Sequence, residues 1–207
     1  MVAPTPHWLE GRLSLDGPVE ITPPHWVDDD EIVALEGQHE PFLFERFADG
    51  TLLVTPPAGW KSGTGTAELT RQIANWAHAH DAGSLVMESS GGVKLPDRSL
   101  FAPDTTYVSA ERWARADHAR TFAEIVPDAA FELLSPSDRI RAAHRKVEAY
   151  LRNGVRLAVL IDPMRDRVYA GREGDGEPRD LGTIEQLDCS PVMAGFVLDV
   201  AAVIRAP

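Results

Sequence analysis

The chain has one cysteine in 207 residues, Cys189. A single thiol cannot close an internal disulfide, and no second cysteine stands at ligand spacing from it, so neither a disulfide scaffold nor a cysteine-based zinc site is available. Long apolar runs are missing too, and nothing approaches the roughly 20 residues needed to cross a bilayer. The start, from Met1 to Glu10, has neither the basic residues nor the apolar stretch of a signal peptide. A cytoplasmic protein fits these absences. There is no Gly-x-Ser-x-Gly turn, and Cys189 has no local activator, which argues against a nucleophilic hydrolase. His78 and His80 are two apart on a helix and His144 stands alone, so no zinc site is expected.

Positive charge is also scarce. The net charge of −12 argues against a broad nucleic-acid-binding surface. The deficit is uneven, because residues 1–50 hold eleven acids against only Arg12 and Arg46. Residues 138–156 reverse the balance: Arg139, Arg141, Arg145, Lys146, Arg152 and Arg156 stand against Asp138 and Glu148. The one basic patch therefore falls on a helix, where it can steer a phosphate or simply form a solvated face.

The remaining pattern is one of short strands and a few helices. Residues 1–24 are proline-rich and read as a tail or a short hairpin, laid on a single domain spanning 25–207. Asp28 or Asp29 caps a short helix that runs through Leu35 and ends at Gly37. Residues 42–47 and 51–55 flank Asp49-Gly50 as a hairpin. The glycine-rich stretch 59–65 lacks the spacing of a phosphate-binding P-loop. It reads as a flexible loop before a helix at about 66–80, whose Leu69, Ile73, Trp76 and Ala77 form a buried stripe. Strands follow at 85–88, 92–95 and 105–108, and then a polar, partly helical excursion at 109–128. A strand at 129–134, a helix at about 139–153 and an apolar strand at 157–161 come next. A hairpin of 167–170 with a run near 179–181 and a closing segment at 196–204 complete an α+β, mixed α/β arrangement.

Three residues in this frame carry chemistry. Asp104 heads the strand at 105–108. Glu132 lies inside the apolar run Ala129-Ala130-Phe131-Glu132-Leu133-Leu134, where an unpaired carboxylate costs several kcal/mol. Period-two alternation sets Glu132 with Ala130 and Leu134, opposite Phe131 and Leu133. Ser135-Pro136-Ser137-Asp138 reads as a break and an N-cap, and Asn153-Gly154 as a stop. On the helix between them Ile140, Ala143, Val147 and Leu151 form the apolar stripe. Lys146 flanks that stripe, with no acid three or four residues away to pair with. If the two strands are neighbours, Asp104 and Glu132 converge as hard oxygen ligands suited to Mg²⁺ or Mn²⁺, with Lys146 beside them.

These residues sit in a longer pattern: Pro103-Asp104, then Phe131-Glu132-Leu133-Leu134-Ser135-Pro136-Ser137, then Lys146 with Tyr150, Gly154-Val155 and Asp162-Pro163. It resembles the Uma family of putative restriction endonucleases, a branch of the PD-(D/E)XK nuclease superfamily. The segments Phe44-Glu45-Arg46-Phe47-Ala48-Asp49-Gly50 and Ser190-Pro191-Val192-Met193-Ala194-Gly195-Phe196 resemble it as well, so the likeness runs from about residue 25 to the end. It implies a restriction-endonuclease-like core, a central mixed sheet flanked by helices. It also implies Mg²⁺- or Mn²⁺-dependent hydrolysis of nucleic-acid phosphodiesters, with DNA as the expected substrate and a homodimer as one way to cut two strands. Asp104 and Glu132 would hold the metal, and Lys146 would complete the catalytic set. In the parent superfamily the lysine stands two residues after the glutamate, a position that is Leu134 here; Lys146 on the following helix fills the role.

This chain departs from the family in places. Gly63-Thr64-Gly65-Thr66 stands where a histidine is usual, and Thr51 and Ala142 stand where acids are. Glu45 and Glu68 are candidates for an extra carboxylate. The alternative function is a catalytically inactive nuclease-fold module for binding or assembly.

Overall fold

The computed structural model describes residues 8–11, 13–117, 121–122 and 124–206. In chain order the elements are β1 (Val19–Ile21), α1 (Asp29–Gln38), β2 (Leu43–Arg46), β3 (Leu52–Thr55), α2 (Trp60–His80), β4 (Leu85–Glu88), β5 (Val93–Lys94), β6 (Leu100–Phe101), β7 (Thr105–Val108), α3 (Ala110–Trp113), β8 (Ala129–Leu133), α4 (Ile140–Arg152), β9 (Leu157–Asp162), β10 (Arg167–Arg172), β11 (Arg179–Asp180), β12 (Gln186–Asp188), β13 (Val197–Asp199) and α5 (Val200–Ile204). Among the described residues no helix is long and apolar enough to cross a membrane.

Local chemistry explains where elements start and turn. Asp28 caps α1 by accepting the Glu31 backbone N–H at 2.9 Å, and Asp29, Asp30 and Glu31 put negative charge on the positive end of the helix. The β2–β3 turn is closed by Asp49, whose carboxylate accepts from Thr51 N at 3.0 Å, and by Gly50 at φ +85°. At the end of α4, Asn153 is the C-cap and Gly154 takes φ +86°.

Two larger sheets organise the molecule. A six-stranded sheet has the order β11-β10-β9-β8-β7-β4, and a five-stranded sheet has the order β1-β3-β2-β6-β5. In the six-stranded sheet β8 and β9 run parallel, joined by α4, while the other neighbours are antiparallel. A parallel pair needs such a crossover, and α4 supplies it. The fold is therefore mixed α+β.

Alternation along β8 decides which residues reach which layer. Ala129, Phe131 and Leu133 pack with Leu69 and Ile73 of α2 and with Val200 and Val203 of α5. Ala130 and Leu134 pack on the opposite face, against Val147 and Leu151 of α4, Phe101 of the five-stranded sheet and Phe47 just beyond β2. Each fully buried aliphatic or phenyl side chain contributes about 1.5–3 kcal/mol, so the pattern fixes the strand's facing firmly. Glu132 is thereby turned toward α4. The far face of the five-stranded sheet is closed by Val27, Ile32 and Leu35 around α1, packed on Phe44, Leu52 and Val54.

Two expectations are corrected, and the closing segment is resolved into its elements. The stretch 59–65 is not a loop: α2 begins at Trp60 and runs 21 residues. Propagation from a long packed helix outweighs about 1 kcal/mol per internal glycine. Gly65 also has a packing reason, because a Cβ there would lie 2.7 Å from Leu133 Cδ2 and 3.2 Å from the Val203 carbonyl oxygen. Asp138 does not cap α4; Arg139 holds the cap position without a side-chain bond, and Asp138 instead accepts from Ser135 N at 2.6 Å, closing the loop on itself. The closing segment is divided: β13 pairs with β12, and Asp199 caps α5 by accepting from Ala202 N at 2.8 Å.

The two glycines in α2 should therefore respond oppositely to alanine. Gly63 is exposed with nothing near its missing Cβ, so Gly63→Ala should stabilise by about 0.5–1 kcal/mol. Gly65→Ala should destabilise by about 1 kcal/mol or more, because the overpacking outweighs the helix gain. Urea melts of the two variants check the sign; equal stabilisation by both would contradict the packing described.

Candidate active site

The antiparallel register pairs Thr105 with Phe131, so one step further along places Asp104 beside Glu132. The Asp104 carboxylate reaches across and accepts from Leu133 N at 2.7 Å. From α4, the Lys146 ammonium lies 2.8 Å from Glu132 Oε1 and 2.8 Å from Glu45 Oε1. Glu45 arrives from the other sheet: Phe44 faces α1, so its neighbour Glu45 faces the opposite way, and its Oε1 also accepts from Ala102 N at 2.8 Å. Tyr150, one turn beyond Lys146, donates its hydroxyl to Glu132 Oε1 at 2.6 Å. Phe101 closes the group, 5.5 Å from the Tyr150 ring edge-on and 5.9 Å from the Lys146 ammonium. Glu45, Asp104, Glu132 and Lys146 all line one cavity of about 520 Å³.

The structure thus brings together Asp104, Glu132, Lys146 and the additional candidate Glu45. It does not bring Glu68. That residue is on α2, which covers the opposite face of the six-stranded sheet, and it is held by Arg71 at 2.6 Å and Gln72 at 2.9 Å. Tyr150 enters the site through the same helical repeat that carries Lys146, since residues four apart share a face. Its contact with Glu132 could not be read from the spacing alone.

Charge in the cluster around Lys146 is unbalanced. Three carboxylates face one ammonium, and Glu45, Glu132 and Lys146 are only 3%, 7% and 6% exposed. Burial pushes the Asp104 carboxyl up to about 6, against the pull of the Leu133 N–H and of Lys146. Burial likewise raises Glu132 to about 8; Lys146 opposes this, and Asp104 and Glu45 add to it. For Lys146 burial alone would lower the pKa, but the charges of Glu132 and Glu45 outweigh it and hold the ammonium protonated. The Tyr150 hydroxyl is raised well above its ordinary value, by burial first and then by Glu132, so it stays a donor. All four groups move in one direction. The cluster is short of positive charge and gains from a proton or a cation.

The donor chemistry suits a hard divalent cation. One oxygen of each carboxylate takes the contacts above, while Oδ1 of Asp104 and Oε2 of Glu132 take no hydrogen bond among the described residues. Carboxylate oxygens with spare lone pairs are the ligands that Mg²⁺ and Mn²⁺ prefer. Among the described residues no three His, Cys, Asp or Glu side chains converge on one ion, so the remaining ligands would be water, backbone or substrate. The basic patch, by contrast, is largely neutralised. Arg145 pairs with Asp49 at 2.5 Å and Glu20 at 3.3 Å, Arg152 with Glu148 at 3.6 Å, and Arg156 with Asp128 at 3.0 Å.

Comparison with known proteins identifies the family and the fold. The model of the Uma2 family, described as "Putative restriction endonuclease", matches residues 29–201. The chain belongs to the Uma2 family. A crystal structure of a putative nuclease of the DUF820 group from Anabaena variabilis superposes with a TM-score of 0.67 at 16% identity, covering 78% of this chain and 89% of that one. At that identity the likeness establishes the shared fold. A search of curated proteins gives no match.

The charge surplus predicts how stability depends on pH. The folded state raises the Asp104 pKa from its ordinary 3.8 to about 6. Its contribution is therefore fully favourable below about pH 4 and is lost as pH rises through 6, on the order of 2–3 kcal/mol by pH 8. Asp104→Asn keeps the acceptor for Leu133 N but cannot ionise. In metal-free buffer its melting temperature should match wild type near pH 4 and exceed it at pH 8. Parallel curves for the two proteins over that range would show that Asp104 carries no such strain.

Proposed function

We propose that this Uma2 protein is a metal-dependent nuclease, hydrolysing nucleic-acid phosphodiester bonds at the cavity of Asp104, Glu132 and Lys146. The observation that carries the reading is the convergence of a carboxylate at the head of β7, one inside β8 and a buried helix lysine, from positions spanning 42 residues in sequence, on one cavity. An ion-pair network built for stability alone has no need to open onto a cavity or to keep a surplus of negative charge. Asp104 and Glu132 would hold Mg²⁺ or Mn²⁺, which when bound polarises a phosphoryl oxygen and acidifies water.

The chain's own residues supply the rest. Glu45 and Glu132 keep the Lys146 ammonium charged and aimed into the cavity. There it can donate to a non-bridging phosphate oxygen and stabilise the charge that develops on it, in a setting poor in water. Tyr150 and Ala102 N fix the two carboxylates that grip the lysine, so little reorganisation accompanies the reaction. Phe101 excludes water from the inner wall.

A second reading has one observation in its favour. Lys146 is already paired with two carboxylates, which is how a structural ion pair in an inactive binding module would look. Activity separates the two. Labelled single-stranded and duplex oligonucleotides and supercoiled plasmid should be cleaved with Mg²⁺ or Mn²⁺ and left intact with EDTA. Asp104→Asn and Lys146→Ala should each lower the rate by about a hundredfold or more. Asp104→Asn is the cleaner of the two, since it should be dead while folded and more stable. Lys146→Ala leaves buried carboxylates uncompensated and should also lose about 3–5 kcal/mol of stability at neutral pH. Wild type inactive on every substrate would favour the module.

A further inference from the structure

The active-site cavity does not end at its own mouth. Arg139 and Ala142 border it and also border a second, broader groove along the exposed side of α4, which Arg141, His144, Arg145 and Arg152 line as well. The acids Glu20, Asp49 and Glu148 share that groove and answer Arg145 and Arg152. Arg139 and Arg141 are exposed and form no ion pair among the described residues. On a chain of net charge −12, two unanswered guanidinium groups beside the cavity mark where a polyanion is tolerated. Across the mouth, Pro56, Pro57, Ala58 and Ser62 form the other wall.

We propose that the site takes a single nucleic-acid strand, whose backbone passes from the cavity onto Arg139 and Arg141. The inference rests on the nuclease reading for the position of the reacting phosphate. Duplex binders spread about 6–10 phosphate contacts over a broad cationic face, and the described residues form no such face. A groove that tracks the backbone with few cations suits a single strand instead. Burial points the same way, because Glu45, Glu132 and Lys146 are 3%, 7% and 6% exposed. A flexible single strand can lower one phosphate to that depth, whereas a stiff duplex holds its phosphates on its own surface.

Fluorescence anisotropy tests this without cleavage, using one labelled oligonucleotide as a single strand and as a duplex, in EDTA and again in Ca²⁺. Wild type should bind the single strand at least tenfold more tightly. The double variant Arg139→Gln/Arg141→Gln should weaken that binding and flatten the slope of log affinity against log salt by about 1.4. Circular dichroism melts, expected unchanged, guard against misfolding of this exposed-site variant. Equal or tighter duplex binding, no binding in either buffer, or unchanged affinity and slope in the double variant would overturn the proposal. Single-strand binding without cleavage of any nucleic acid would support the proposal and count against the nuclease reading. Duplex cleavage with none of the binding effects would do the reverse.

Discussion

A buried ammonium held between carboxylates from two different sheets is the interaction on which the arrangement turns. Lys146 reaches Glu132 on the six-stranded sheet and Glu45 on the five-stranded sheet at 2.8 Å each. It therefore ties together three elements that touch nowhere in sequence: β2, β8 and the crossover helix α4. The hydrophobic pattern brings them there. Phe131 and Leu133 turn toward α2, which forces Glu132 toward α4, and Phe44 turns toward α1, which forces Glu45 toward the same place. Apolar burial supplies the stability; the polar cluster is carried at a cost. A buried ion pair rarely gains more than it loses in desolvation, and a surplus carboxylate beside it adds to that loss.

That cost is what makes the cavity informative. Asp104 and Glu132 are both pushed upward, and Lys146 and Tyr150 move with them. A site selected for stability would have balanced the charge or replaced it with leucine. A site kept short of positive charge is set to bind a cation or to act on a proton, and proteins give up stability at such places. The overall acidity of the chain looks at first like an objection to a polyanionic substrate. Its distribution removes much of the force, because acids of the N-terminal third, Glu20 and Asp49, are used to neutralise Arg145 and leave Arg139 and Arg141 to the groove.

Much of this was legible in the residues, and the parts that were not share a cause. The facing of Glu132, the stripe of α4 and its Asn153-Gly154 stop follow from local periodicity and turn chemistry, which are short-range rules. The pairing of β7 with β8 that sets Asp104 beside Glu132 does not follow from them. The depth at which Lys146 is buried is not local, because it depends on the five-stranded sheet closing over α4 with Phe47 and Phe101. Glu45 could be named as a candidate from its motif, but its approach to Lys146 spans a hundred residues and two sheets. Glu68 had an equal claim in sequence and lies across the sheet, since only the tertiary placement of α2 separates them. The glycines of 59–65 misled for the same reason: their helix is bought by packing on Leu133 and Val203, far along the chain.

Anomalous diffraction from crystals soaked in Mn²⁺ tests the central claim most directly, since it asks where a cation goes without asking for activity. The charge surplus and the unengaged oxygens predict a strong peak between the carboxylates of Asp104 and Glu132, absent from crystals of Asp104→Asn. Saturating Mn²⁺ that leaves this cavity empty, with Lys146 still bridging Glu45 and Glu132, would contradict the account and leave the cluster a structural ion pair.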